Sequence, residues 1–478
     1  MQLQIESYRT GLPLYDVFWR LGRHGSAAFL ESMPGYGDLG RFSIIGINPF
    51  LTLRGWTDHC LLNGVRLNEN PLPVLERLLE QYRNEPLPGL PLSGGCIGFI
   101  AYDFGFELAG LSLPGRSAEA ADRTRPLVSF DFYDNFLVED HQQTGEIILM
   151  ACGVLEPAEQ SLARLRRLLQ DLPEVKASDL RSWPDEPAGP TAREREEDWR
   201  MIQLPDHDKY LAEVEAIREL IRQGEVYIVN LTHQLTARTN LSAETIYGRL
   251  RRLNPAPFAA LIRQGDFEII SASPECLFRI RYHDDMKTVT QSKNLQNSRD
   301  QDQRPGKTRP PARIITTRPI KGTRPRGSDA AEDAEYARQL LASGKDRAEL
   351  LMIVDLERND LSRICLPESV QVPGLFLLEK FPAVYHLVAE VQGIIRDEIS
   401  AAACLRAIFP GGSITGAPKA AAMQVIDRLE SQPRYLYTGC LGYFSCDGQA
   451  DFNIMIRTLI KQGQDVSYGS GGGITWES

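Results

Sequence analysis

The sequence predicts an α+β fold in which antiparallel strands dominate and helices pack against them. Short apolar runs broken by turns crowd the first part of the chain, to about residue 170, with few helical patterns between them. The C-terminal stretch ends in a second group of consecutive strand-like runs. Neither half shows the regular strand–helix alternation of a parallel sheet.

The elements follow in order. "RFSIIGI", "GGCIGFIAYDFG", "LVSFDFYDNFLV" and "GEIILMACG" read as strands. "VLERLLEQYR" and "SLARLRRLLQ" read as amphipathic helices. From Asp171 to Asp206 the chain turns charged and proline-dotted, which predicts a linker or a long surface excursion. Asp206 or Asp208 then caps a helix with Tyr210, Val214, Ile217 and Ile221 on one face and Gly224 as its stop. "VYIVNL" follows as a strand. Residues 283–313 are almost empty of apolar side chains and read as a disordered loop. "YLYTGCLGYF", "NIMIRTL" and "YGSGGGITW" close the chain as strands.

Composition sets limits. The 478 residues, 42% hydrophobic and 24% charged, suit a folded protein with a large core. A net charge of −10 argues against general nucleic-acid binding. The basic stretch from Lys287 to Arg326 is interleaved with acids and lacks stacking aromatics. Eight cysteines are scattered without a CxxC pair, as expected of buried reduced thiols. "MQLQIESYRT" has no apolar signal core and no run is long enough to span a membrane, so a cytoplasmic protein is expected.

Five segments carry possible chemistry, each with a plainer alternative. "SASPECLFRI" sets Glu275 at the head of a strand, as a surface carboxylate would also sit. "TTRPIKGTRPRG" places Lys321 among Arg318, Arg324 and Arg326. If they share a pocket, their charge lowers the lysine pKa and yields a nucleophilic amine; otherwise this is a solvated basic loop. "DRAELLMIVDLERNDLSRI" is a helix bearing Asp346, Glu349, Asp355 and Glu357, either an acidic solvent face or a source of Mg²⁺ ligands. "FPGGSITGAPKAAAMQVIDRLE" opens a helix on a Gly/Ser/Thr-rich turn whose free N–H groups suit an anion. Ala422, Ile426 and Leu429 form its buried stripe. Arg457 stands inside an otherwise apolar strand, and Gly471–Gly473 would let a ligand approach the backbone.

Taken in order, these segments resemble the chorismate-utilising family. The resemblance runs from "GEVYIVNL" through "SPE", "RPIKGT", "ELLMIVDLERNDL", "VYHLVAEVQG", "FPGGSITGAPK" and "IRT" to "GGGI", with "FLES" and "GRFSIIG" near the N-terminus. It implies large antiparallel sheets packed face to face with helices outside. It also implies an N-terminal anthranilate synthase component I-like region at 1–170, a linker at 171–205 and a chorismate-binding catalytic region at 206–478. Lysine in "PIKGT", where the anthranilate-forming branch has alanine, points to the branch that aminates chorismate at C4 on the route to p-aminobenzoate and folate.

The resemblance then assigns roles. Lys321 is the nucleophile, Glu275 the acid for the departing hydroxyl, and His386 an active-site histidine. Thr323, Gly416, Tyr437, Arg457 and Gly473 bind substrate, and Glu349 binds Mg²⁺. Ammonia comes from a glutamine amidotransferase subunit. Glu31, Ser32, Arg41 and Ser43 match a tryptophan pocket, though plain strand residues read the same way.

Three features depart from the family pattern. Ile228 stands where glutamine is usual. The stretch 283–313 lengthens the turn between Glu275 and Lys321 and could misplace the lysine. The chain ends at "GGGITWES", before an acidic segment that supplies a second Mg²⁺ ligand, and Glu477 falls too early to replace it. Reduced or absent activity is therefore expected. An anthranilate-forming enzyme and a non-catalytic ligand- or partner-binding paralogue remain alternatives.

Overall fold

The structure, a computed structural model, describes residues 2–21, 27–33, 35–111, 125–143, 145–172, 198–282 and 311–478. The 22 strands among the described residues hydrogen-bond into one connected network, and the pairings run antiparallel. The four N-terminal runs form the strands Phe42–Gly55, Gly95–Ile100, Val128–Asp140 and Glu146–Ala151. The two amphipathic patterns form the helices Pro71–Gln81 and Ala158–Gln170.

The sheet does not respect the halves of the chain. Strand Gly95–Ile100 pairs with Cys440–Ser445, and Ala28–Glu31 pairs with Phe258–Gln264. The largest apolar core likewise joins Leu53 and Phe130 to Leu387, Ile426 and Phe452. The 171–205 stretch is described only at its two ends, where Arg200–Gln203 forms a strand beside residues 236–238.

Local chemistry explains the elements around the site. Asp206 accepts a hydrogen bond from the Lys209 N–H at 3.1 Å and starts helix His207–Arg222, which buries Ile217. Gly224 follows that helix with φ +78°, a conformation open to glycine at little cost. Strand Ile228–Arg238 comes next and pairs along its length with Asp465–Ile474.

Strands Cys276–Tyr282 and Arg313–Arg318 pair from Tyr282↔Arg313 to Cys276↔Arg318, with a bulge between. The two strands flanking the lengthened turn therefore still pair, with a one-residue register shift at the bulge, and the loss of pairing that could misplace Lys321 is not seen. The predicted disordered loop lies outside the described residues up to 310. Its last positions do not fit that expectation: Ala312 is buried and Arg313 begins a strand.

Arg457 also departs from expectation. It sits in the connection between strands Ala450–Ile454 and Thr458–Gln462, with φ +50°, rather than within a strand. All eight cysteines are buried and unbonded. No helix among the described residues is long and apolar enough to cross a membrane.

Candidate active site

The site gathers where four segments meet. Glu275 is the last residue before its strand and is 3% exposed. Its Oε1 accepts the Ile320 N–H at 3.2 Å, which ties the carboxyl to the residue preceding Lys321. Its carbonyl accepts from the Ile454 N–H at 3.0 Å. Burial is the largest influence on Glu275 and raises its pKa. The Ile320 N–H, Lys321 and Arg457 oppose the shift, and the nearby Ser413 hydroxyl, buried without a hydrogen-bond partner of its own, can add to them.

Lys321 lies on strand Ile320–Pro325 and donates from Nζ to the Ser413 carbonyl at 2.8 Å. Its pKa is lowered, as expected, but for another reason. Loss of solvent is the main cause, and Glu275 and Glu349 pull the other way. The three arginines do not act on it, because each is matched by carboxylates. Arg318 pairs with Glu379 and Glu390, Arg324 with Asp346 at 2.9 Å, and Arg326 with Asp333 at 2.6 Å. Neutralised cations exert little field on a neighbour.

His386 faces Thr323 across the strand pair and is 4% exposed. Arg457 donates from Nη2 to His386 Nε2 at 3.1 Å. A guanidinium only donates, so Nε2 is the acceptor and the proton sits on Nδ1. There it meets the Thr323 hydroxyl at 3.0 Å and the Gly322 carbonyl. Burial, then Arg457, pushes His386 down to about 4, so the ring is neutral at pH 7. Arg457 also donates to Asn254 Oδ1 at 3.0 Å. Both Asn254 and the His386 ring are neutral partners, and burial lowers the pKa of Arg457. Glu275 acts on it from a distance, but among the described residues no carboxylate forms an ion pair with it, which leaves the half-buried guanidinium poised for an anionic ligand.

Tyr437 lays its ring on Gly469, where a methyl group would come within 2.2 Å of the ring. Gly473 pairs with Asn230. A methyl group at Gly473 would sit 3.4 Å from Lys321 Nζ, so bare backbone faces the amine. Gly416 has φ +142°, and the space of its missing Cβ is taken by the Ile228 carbonyl, 2.1 Å away. Thr323 is exposed.

Glu349 projects from helix Gly344–Ser362 and is 9% exposed. Burial raises its pKa first, Lys321 and Lys345 lower it, and Asp346 and Glu477 raise it. Glu477, expected to fall short of the metal, thus lies close enough to act on Glu349. Among the described residues, no group of three or more His, Cys, Asp or Glu is arranged to hold a metal ion. Two carboxylates fit Mg²⁺ that keeps waters and takes substrate oxygens; they do not fit a closed protein cage.

Several supporting residues took on roles the sequence did not assign: Glu357 was marked only as one acid of its helix, and Lys419, Arg434 and Glu430 were not marked at all. Glu357, on the same helix, is 6% exposed and accepts a short hydrogen bond from Thr317. Burial pushes it up to about 8. Lys419 binds Asp360 at 2.6 Å and the Ile408 carbonyl at 2.7 Å. Arg434 and Glu430 form a buried pair at 2.7 Å. Arg434 also donates to the carbonyls of Ile414 and Asn230, and Glu430 accepts the Thr232 N–H at 2.8 Å. That pair joins the turn carrying Ser413 to the strand carrying Ile228. Only its i, i+4 spacing was visible beforehand.

The family model for chorismate binding enzymes matches residues 27–292 and 307–478. The chain belongs to the chorismate binding enzyme family. Among curated members it is 35% identical to "Aminodeoxychorismate synthase component 1" of Salmonella typhimurium, over 95% of this chain and 88% of that protein. It is 34% identical to "Aminodeoxychorismate synthase" of Streptomyces griseus, over 96% of this chain but only 59% of that longer protein. Among solved structures, anthranilate synthase component I from Streptococcus pneumoniae TIGR4 superposes with a TM-score of 0.68 at 29% identity, covering 99% of this chain and 95% of that one. The chorismate-utilising fold expected from the motifs is therefore the fold observed.

The N-terminal candidates are split in this family member. Glu31 is held by Tyr247 at 2.6 Å and by Arg251 at 2.5 Å. Glu31 and Ser32 line a small cavity with Phe258, Arg279 and Asp451. Ser43 sits behind Ser32, between its N–H and His141. Arg41 binds Asp140 at 2.9 Å and lines a neighbouring cavity.

Proposed function

We propose that the protein is the chorismate-aminating component of an aminodeoxychorismate synthase. It would convert chorismate and ammonia to 4-amino-4-deoxychorismate and water. The observation that carries this reading is the half-buried Lys321 amine, its pKa lowered by desolvation, acting on the buried Glu275 carboxyl. The relatives at 34–35% identity share the proposed activity by name.

Neutral Lys321 attacks C2 of chorismate, the ring double bond shifts, and the C4–O bond breaks. Hydroxide is a poor leaving group, so Glu275 gives its proton and the group departs as water. Ammonia then forms the C4–N bond, the double bond returns, and the C2–N bond to lysine breaks. The protonated lysine nitrogen leaves as the neutral amine, and the excess proton on the new C4 ammonium passes to the Glu275 carboxylate. Arg457 and the phenol of Tyr437 meet the substrate carboxylates, and His386, neutral, orients Arg457. Glu349 and Glu477 would hold Mg²⁺, which supplies charge neutralisation for a substrate carboxylate. Ammonia would reach the site from a glutamine amidotransferase partner, and the product would feed p-aminobenzoate and folate synthesis.

Incubation with chorismate, Mg²⁺ and ammonium, followed by mass analysis, tests the reading. Aminodeoxychorismate is the expected product. A fluorescent anthranilate product would assign the other branch, and unchanged chorismate with folded protein would assign a non-catalytic paralogue.

A further inference from the structure

Arg457 is held by two neutral partners, and one residue of the N-terminal region reaches toward both. Tyr36 stands on a turn between Gly35 and Gly37, whose φ of +102° and +57° cost glycine little. Its ring lies on the Phe381 ring with centroids 4.9 Å apart. The Phe381 ring meets the His386 ring edge to face at 5.0 Å, and His386 accepts from Arg457 Nη2. The Tyr36 hydroxyl donates to the Pro255 carbonyl at 2.7 Å. Pro255 follows Asn254, whose Oδ1 accepts from Arg457 Nη1. The same short segment is fastened twice more to the N-terminal region. The Met33 N–H donates to the Ala256 carbonyl at 3.3 Å, and Ser32 Oγ donates to the Pro257 carbonyl at 2.8 Å. Phe381 is 2% exposed, so it has little room to relax away from either ring. Burial raises the Tyr36 pKa to about 12, and Arg457 lies near enough to oppose the shift.

We propose that Tyr36 is a positioning residue for chorismate, fixing the direction of the Arg457 guanidinium through both of its neutral partners. The inference rests on the proposed function for the identity of the ligand. An arginine side chain has many rotamers, and with no ion pair in place only its hydrogen bonds hold it in one before substrate arrives. His386 fixes one nitrogen and Asn254 another, and a planar fork held at two points turns only as they turn. Tyr36 braces the two by different means, ring packing toward His386 and a hydrogen bond beside Asn254. Plain packing of the N-terminal region would account for either contact alone. Their convergence on one arginine is what a positioning role adds, because a pre-aimed guanidinium spares the substrate the cost of ordering it.

Steady-state kinetics of the full chain, with chorismate or ammonium varied and product read by mass, test the role. Tyr36→Phe keeps the ring and loses the hydroxyl, and should raise the chorismate KM about threefold. Tyr36→Leu loses both, and should raise it about thirtyfold. The kcat and the ammonium KM should stay within about twofold, since the brace acts on how chorismate is held. In an Arg457→Gln background neither substitution should change kcat/KM for chorismate by more than about twofold, because the brace then has nothing to aim. Additive losses in the two backgrounds would overturn the proposal. So would a chorismate KM unchanged by Tyr36→Leu, or a matching rise in the ammonium KM. Thermal melting shows whether Tyr36→Leu is folded; if it is not, Tyr36→Phe and its double variant decide. If wild type makes no aminated product, the proposed function fails, and chorismate affinity measured by calorimetry across the same variants still decides the role of Tyr36.

Discussion

At the scale of single residues, the site works by removing water from ionisable groups. Lys321 and Glu275 shift in opposite directions for one reason, since burial disfavours the charged form of each. Lys321→Ala should cut ammonium-driven amination on the order of 10²-fold or more, with an unchanged far-ultraviolet spectrum. An unchanged rate would remove the covalent lysine. Glu357 gives a stability prediction. Its pKa rises from 4.5 in the unfolded chain to about 8 in the fold, so the folded state binds the extra proton between those values. The stability it contributes is present below about pH 4.5 and is lost as pH rises through about 8. Glu357→Gln keeps the carbonyl acceptor for Thr317 without the charge. Wild type should lose more melting temperature between pH 6 and 8.5 than Glu357→Gln does, and parallel curves would refute the shift.

At the scale of elements, the helix Gly344–Ser362 is the informative case. Its inward face mixes Leu350, Ile353, Val354 and Leu361 with Glu349, Glu357 and Asp360. Each acid has a compensating group: Lys321 for Glu349, Thr317 for Glu357, Lys419 for Asp360. Between the turn at Ser413 and the strand at Ile228, the Arg434–Glu430 pair plays the same structural part. Both side chains are almost fully buried, so removing one partner strands the other. Arg434→Ala should cost about 3–5 kcal/mol of unfolding free energy, measured by urea denaturation. It should also reduce activity by loosening Ser413 against Lys321. A loss below about 1 kcal/mol would show that the pair is dispensable.

At the scale of the whole molecule, one sheet runs through both halves of the chain. Strand Cys440–Ser445 needs Gly95–Ile100, and Phe258–Gln264 needs Ala28–Glu31. Unpaired edges in a fragment would expose apolar strands to aggregation. Residues 206–478 expressed alone should therefore be insoluble or lack a cooperative thermal transition, whereas the full chain should unfold in one step by calorimetry. A soluble, cooperatively melting fragment would show that the shared sheet does not bind the halves together.

Strands, helices and the family itself were legible in the sequence because they depend on local period and on short motifs. The apolar runs from Phe42 to Ala151 predicted their strands, and Asp206 and Gly224 predicted both ends of a helix. Lys321, Glu275 and Arg457 were identifiable as residue types in a recurring order. Local pattern does not record which way a side chain points or what faces it across the sheet. The three arginines looked like the cause of the lysine shift because they were neighbours in the chain, while their carboxylate partners came from residues 333–390. Glu357 and Arg434 acquired meaning only when burial removed their solvent. The chain by itself determined which chemistry was present. The tertiary structure decided which charges lost their water, because desolvation and long-range pairing depend on contacts between segments that no local pattern encodes.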